Sequence, residues 1–205
     1  MVKLSAVLKI QRDIILGTIL GDGSLEFNGY VGTRLQIKQK ESHKQYVMWL
    51  YEKLSDLCKT PPKQKKDTNQ WYFSTRALKE LTELREIFYK SKKKIIPLNI
   101  RKLIKSPLSI AVWYMDDGNL DYRPKSHYSY RISTDSFSLK ENGLLVDMLK
   151  ENFNIKTSVA NPLCRGKRYP KLYIGAQGRE TFLKTINSYV LRPVFLRKIR
   201  PINTT

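Results

Sequence analysis

SIAVWYMDDGNL, from Ser109 to Leu120, is an apolar run that stops abruptly at two carboxylates and a glycine. A second run of the same design, IILGTILGDGSL, lies near the start of the chain from Ile14 to Leu25. Superposing the two places Asp22 on Asp117 and Gly23 on Gly118, an offset of 95 residues in a chain of 205. An internal repeat of this kind sets the architecture before any single element does.

Both runs read as buried helices. Ile14, Ile15, Leu16, Ile19 and Leu20 leave almost no polar face, nor do Ile110, Ala111, Val112, Trp113, Tyr114 and Met115, and a helix apolar nearly all round is a core helix. At about ten residues, roughly 15 Å long, each is too short to span a bilayer. Gly23 and Gly118 suit the left-handed position that closes a helix. Gly17 and Gly21 stand four apart, so one face of the first helix is bare backbone against which a second helix packs closely. Val112 and Asp116 replace them in the second copy, so that contact is not symmetric. A carboxylate at a helix C-terminus faces the negative end of the dipole. Two such ends side by side call for a cation, and an all-oxygen donor set suits Mg²⁺. The plainer alternative is a turn after a core helix, which two matched copies disfavour.

These residues, LGDG at Leu20–Gly23 and MDDG at Met115–Gly118, resemble the paired motifs of the LAGLIDADG homing endonucleases in their two-repeat, single-chain form. The likeness runs from about Ile10 to Pro201, and departs from the family pattern at Val112 and Asp116.

Composition agrees with such a partner. Lys and Arg number 38 against 18 acids, a net charge of +20 spread along the whole chain; a polyanion, usually nucleic acid, is the expected ligand. Cys58 and Cys164 have no paired spacing, which argues against a zinc site or disulfide framework and for a reducing interior. His43 and His127 lack a companion metal motif and read as surface or packing residues. No signal peptide, membrane span or transit peptide is evident.

In chain order, a basic arm (1–10) precedes the first motif helix, Gln11–Asp22. Asn28-Gly29 signals a hairpin, and the returning strand alternates Val31, Thr33, Leu35 and Ile37 against Arg34, Gln36 and Lys38. A helix over 41–57 follows, then a strand pair over 63–66 and 69–76, with Trp71, Phe73 and Thr75 opposite Gln70, Tyr72, Ser74 and Arg76. A helix over 78–89 and a basic join over 91–105 lead to the second motif. The pattern then repeats. A strand over 128–135 carries Ser129, Arg131 and Ser133 opposite Tyr130 and Ile132. A helix over 139–153 follows, then strands over 155–161 and 169–176 joined by Arg165-Gly166-Lys167-Arg168. A helix over 181–190 and a final helical turn over 193–199 end the reading.

Each half therefore reads helix, two strands, helix, two strands, helix. The fold is α+β, with an N-terminal repeat at 1–97 and a C-terminal repeat at 98–205. The resemblance implies two pseudo-symmetric αββαββα halves packed through the motif helices, with antiparallel sheets forming a DNA saddle. Strand ribbons fit the major groove, where Arg and Lys suit guanine and Gln suits adenine. Expected DNA contacts are Arg34, Gln36, Lys38, Gln70, Tyr72, Ser74 and Arg76 in the first half. Ser129, Arg131, Ser133, Arg165, Lys167, Arg168, Lys171 and Tyr173 are those of the second.

The resemblance implies a sequence-specific, staggered double-strand break by metal-dependent hydrolysis. Asp22 and Asp117 are the expected metal ligands, with carbonyls of Gly21 and Asp116 completing the shell. Mg²⁺ is the expected cofactor, with Mn²⁺ substituting and Ca²⁺ supporting binding without efficient cleavage. Lys94 in KKKIIP and Lys198 in LRKIRP occupy the family's lysine places near the active sites; a bare phosphate contact is their alternative role. Expected partners are double-stranded DNA with a long asymmetric target and the host intron RNA, with no membrane and a monomeric state. The expected location is intracellular, in an organelle or a prokaryotic cytoplasm. The rival reading is an intron RNA maturase, with or without cleavage; a transcription regulator that has kept the fold is a third.

Overall fold

The computed structural model describes residues 8–200 other than 28, 31, 124–126 and 165, and not the side chains of 66, 164 and 167. The first motif forms α1 (Lys9–Leu20). It leads into β1 (Ser24–Phe27), β2 (Thr33–Lys40), α2 (Lys44–Leu54), β3 (Lys63–Lys65), β4 (Gln70–Ser74) and α3 (Lys79–Phe88). A two-residue hairpin, β5 (Tyr89–Lys90) and β6 (Lys93–Lys94), and the short α4 (Ile100–Leu103) make the join. The second motif forms α5 (Pro107–Asp117), opened by a proline that needs no hydrogen-bond acceptor at that position. Then come β7 (Gly118–Arg123), β8 (His127–Ser133), α6 (Leu139–Phe153), β9 (Ser158–Ala160), the small β10 (Leu163–Cys164) and β11 (Lys167–Arg168), β12 (Lys171–Ile174), α7 (Arg179–Ile186) and α8 (Arg192–Ile199).

Both main sheets are four-stranded and antiparallel at each described pairing, with the matching orders β1-β2-β4-β3 and β7-β8-β12-β9. The alternation read from sequence decides their faces. Along β2, Thr33, Leu35 and Ile37 are buried while Arg34 and Lys38 are exposed. Helices cover the buried faces: α2 and α3 pack on the first sheet, α6 on the second. One continuous core joins everything, running from Ile14 and Leu50 through Trp113 to Phe182 and Phe195.

At the centre α1 packs along α5. Ser109 Oγ donates to the Asp13 carbonyl at 2.7 Å. A Cβ on Gly17 would lie 2.6 Å from the Ser109 carbonyl oxygen and 2.7 Å from Val112 Cβ. One on Gly21 would lie 2.5 Å from Asp116 Oδ2. The glycines of one helix thus receive the side chains that replace them in the other, the asymmetric contact expected from sequence.

The motif-closing glycines need correction. Gly118 is extended (φ −79°, ψ 152°) and begins β7, and neither it nor Gly23 is among the positive-φ residues. Space, not handedness, selects glycine: a Cβ on Gly118 would meet the Tyr114 carbonyl oxygen at 2.3 Å, and one on Gly23 the Thr18 carbonyl oxygen at 2.8 Å. The basic arm lies mostly outside the described residues, as do Asn28, Val31 and Arg165. The second-half strand over 155–161 contracts to Ser158–Ala160, and the loop after it folds into the β10–β11 ribbon.

Candidate active site at the ends of the motif helices

Close packing of α1 and α5 brings their C-terminal ends together. The Asp22 backbone N–H donates to Asp116 Oδ2 at 3.2 Å. Asp116, partly buried in the seam over Gly21, is pushed well above the ordinary carboxylate range by burial and by the charges of Asp22 and Asp117. Asp117 is lifted to about 7 by burial first, then by Asp22, against the pull of Lys94 and Lys198. Three acids at two negative helix ends make a site that wants positive charge.

Two lysines supply part of it. Lys94, delivered by β6, donates from Nζ to the Gly21 and Gly23 carbonyls at 2.8 and 2.9 Å. Lys198, delivered by α8, donates to the Met115 and Asp116 carbonyls at 2.7 and 3.2 Å. Each lysine therefore clamps the last turn of one motif helix, satisfying carbonyls that have no helical partner. Burial lowers both ammonium groups, Lys198 to about 8. The Tyr114 hydroxyl, donating to the Lys198 carbonyl at 2.7 Å, ties α8 to α5.

Gln39 was not among the residues singled out from sequence. Its Nε2 donates to Asp22 Oδ2 at 2.8 Å and to Asp116 Oδ1 at 3.2 Å. Its Oε1 lies 3.2 Å from His43 Nδ1, so with the amide nitrogen committed to carboxylates, Nδ1 is the donor. The His43 ring packs edge-on to Phe195 at 5.1 Å. Burial, then the Lys40 charge, lowers its pKa, which favours the neutral ring. A signal was available: β2 alternates, and Gln39 falls on the buried side with Leu35 and Ile37. A polar residue on an apolar face needs a partner. Its repeat equivalent, Thr134, turns into the second core, bonding Asn142 and the Pro170 carbonyl, so the two sites are not equal.

The expected DNA contacts divide three ways. Arg34, Gln36, Lys38, Gln70, Tyr72 and Ser74 lie on one open face of the first sheet, by the register that sets Gln36 beside Ser74, Lys38 beside Tyr72 and Lys40 beside Gln70. An open concavity lined by Asp22, Ser24, Gln36, Lys38, Gln39, Lys40 and Gln70 links that face to the carboxylates. Arg131, Ser133, Lys171 and Tyr173 share the corresponding face of the second sheet. Ser129 is on that face but fully buried, so it does not present to a groove here. Arg76 is turned aside, donating to the Asp56 carbonyl at 2.8 Å, and Arg168 donates to the Asn161 carbonyl at 2.9 Å. Arg165 and the Lys167 side chain lie outside the described residues.

The donors at the helix ends, carboxylates and main-chain carbonyls, suit a hard divalent cation such as Mg²⁺, whose sites use one or two carboxylates and leave the rest to water and phosphate. Among the described residues no group of three or more His, Cys, Asp or Glu side chains is placed so as to hold a metal ion by itself. Nor is any described helix long and apolar enough to cross a membrane.

Fold and site together define the two-repeat LAGLIDADG class, with both repeats in one chain. The family of LAGLIDADG DNA endonucleases matches over residues 12–182. The chain belongs to that family. It is 32% identical over 162 residues to cytochrome b mRNA maturase bI2 of Debaryomyces hansenii, covering 74% of this chain and 60% of that protein. With DNA endonuclease I-ChuI of Chlamydomonas applanata it shares 30% identity over 167 residues, covering 73% and 75%. Among solved structures, the homing endonuclease I-WcaI bound to its DNA recognition sequence superposes with a TM-score of 0.81 at 26% identity, over 95% of this chain and 87% of that one. I-DmoI in complex with DNA and Mn shares the fold, with a TM-score of 0.55 at 21% identity over 87% and 97%.

Proposed function

We propose that this protein is a site-specific DNA endonuclease that makes a staggered double-strand break, using Asp22 and Asp117 as the anionic ligands of divalent cations, Mg²⁺ in the cell. The observation that carries this reading is the pair of helix-end carboxylates, each beside a lysine, lying next to open basic sheet faces. The relatives named as DNA endonucleases, and the DNA-bound structures of I-WcaI and I-DmoI, support it. Residues 1–97 and 98–205 are the two repeat units, each serving one strand of a long asymmetric target, with the chain acting as a monomer.

A cation held there supplies an acidified water and a counter-charge for the leaving oxygen. The chain's own residues do the rest. Asp22 and Asp117, with the Gly21 and Asp116 carbonyls, provide the oxygen donors. Gln39 fixes the Asp22 carboxylate by its 2.8 Å bond, leaving the remaining oxygen free to ligate. Lys94 and Lys198, beside those carbonyls, add positive charge where negative charge grows on the phosphate. No side-chain nucleophile is required.

The test is cleavage of a randomised duplex library in Mg²⁺, followed by sequencing of the cut ends. A single recovered sequence with staggered ends is expected, and its loss in Asp22→Asn and Asp117→Asn proteins. Unselective degradation, or full activity of either variant, overturns the assignment. Relation to a named maturase favours a second reading, binding of a host intron RNA. That role does not use the metal-binding carboxylates, so both variants would keep it.

A further inference from the structure

Each sheet carries one acid within its strands: Glu26 in β1 and Asp121 in β7. They are repeat equivalents, separated by the same offset as Asp22 and Asp117. Both lie on the open face, Glu26 opposite Arg34 and Asp121 opposite Ser129. A carboxylate on a surface meant for phosphates is repelled by them, so an acid kept at the same place in both halves calls for a reason.

Each acid holds an arginine. Arg34 Nε and Nη2 both donate to Glu26 Oε2, at 3.0 and 2.8 Å. Arg131 Nη2 pairs with Asp121 Oδ2. The two arginines are not repeat equivalents: Arg34 corresponds to Ser129, and Arg131 to Gln36. Two different strand positions therefore deliver a guanidinium to one equivalent spot, and the constant feature is the acid.

The geometry states what the acid does. Glu26 occupies the lateral edge of the Arg34 guanidinium, the edge formed by Nε and Nη2. The terminal edge keeps N–H groups on Nη1 and Nη2. That edge is the fork that reads guanine O6 and N7 in the major groove. With Arg34 still half exposed, at 50% of its side-chain surface, the fork is open to a ligand. We propose that Glu26 and Asp121 are specificity-determining positioning residues: each aims its arginine at a guanine edge and, by its charge, keeps that arginine off the phosphate backbone. The target then carries a guanine at a similar distance on either side of the cleavage centre. This inference rests on the reading of the sheets as DNA-facing.

The experiment is selection of cleaved sequences from a randomised library by the full-length protein and by Glu26→Gln, Asp121→Asn, Arg34→Ala and Glu26→Gln/Arg34→Ala variants, with binding to selected and unrelated duplexes measured in Ca²⁺. Expected is a loss of guanine preference at one base pair for each acid variant, about five- to a hundred-fold, the range of one bidentate contact. Affinity for unrelated duplex should rise as a repelling charge is removed. Glu26→Gln should change base preference no further once Arg34 is alanine, which a general structural effect of Glu26 would not reproduce. Unchanged preference in both acid variants overturns the inference. So does loss of a cytosine preference that survives Arg34→Ala, because the carboxylate would then be reading the base itself. Failure of the unaltered protein to select any sequence takes down the endonuclease reading and this one together, whereas identical selections by variant and unaltered protein remove only this one.

Discussion

Burial and the Asp22 charge lift Asp117 from its usual 3.8 to about 7, and that shift has a sign in stability. Between those values the folded protein keeps a proton that the unfolded chain has released, so raising pH from about 4 to 7 removes stability. Above 7 the cost is constant. Lys198 acts in the opposite sense in a separate window: lowered from 10.5 to about 8, it returns stability as pH rises from about 8 towards 10.5. Denaturant melts of metal-free protein should show Asp117→Asn equal to the unaltered protein near pH 4 and more stable above pH 7. A difference that does not grow across that window would deny the buried, charge-crowded state of the site. The same variant should bind target DNA yet lose double-strand cleavage. Gln39→Ala should slow cleavage on the strand served by Asp22 more than on the other, because Thr134 gives Asp117 no such bond; nicked intermediates on a gel report the difference.

Among the elements, the packed motif helices impose the tightest constraint. Gly17→Ala drives a methyl group into Ser109 and Val112 and should cost about 1–3 kcal/mol of overpacking. Gly143→Ala, in α6 with nothing near the added methyl, should stabilise by about 0.5–1 kcal/mol. Urea unfolding distinguishes the two. Lys94→Met and Lys198→Met should slow cleavage more than they weaken binding, since each ammonium lies at a helix end rather than on a sheet face; parallel losses in rate and affinity would make them backbone contacts. Much of this was legible in the sequence because it is periodic. Repeated motifs, glycines four apart and strand alternation are local patterns with one structural meaning each. What escaped is set by tertiary register. Gln39 matters because β2 ends beside α5, and Ser129 is lost to the groove because it is buried where its neighbour Arg131 is not. Gly118 reads from sequence as a matter of handedness, whereas the ring and carbonyl of Tyr114, one turn back, are what exclude a side chain.

Across the whole molecule, charge is unevenly placed. Two helices that cover the sheets carry more acid than base: α3 has Glu80, Glu83 and Glu86 against Lys79 and Arg85, and α6 has Glu141, Asp147 and Glu151 against Lys140 and Lys150. The excess of +20 lies outside them, in part on the sheets and in part on α8, with Arg192, Arg197 and Lys198. The first sheet's open face holds Lys38, Lys40, Lys63 and Lys65, whereas within the strands of the second the matching surface offers Lys171 and Arg123 beside Tyr173, Ser133 and His127, its Arg131 being paired with Asp121. Non-specific attraction thus comes more from the first sheet. Each phosphate neutralised by a lysine releases a condensed counterion, so binding should fall steeply with salt, with a logarithmic slope of about −0.9 per contact. Removing one such lysine should shallow that slope by about one and weaken all duplexes alike. Lys38→Ala and Lys40→Ala should do so. Arg34→Ala should leave the slope almost unchanged while discrimination collapses, because Glu26 already balances that charge. Titrations of target and unrelated duplexes from low to physiological salt separate the two behaviours. A slope that responds to Arg34 as it does to Lys38 would place that arginine on the backbone.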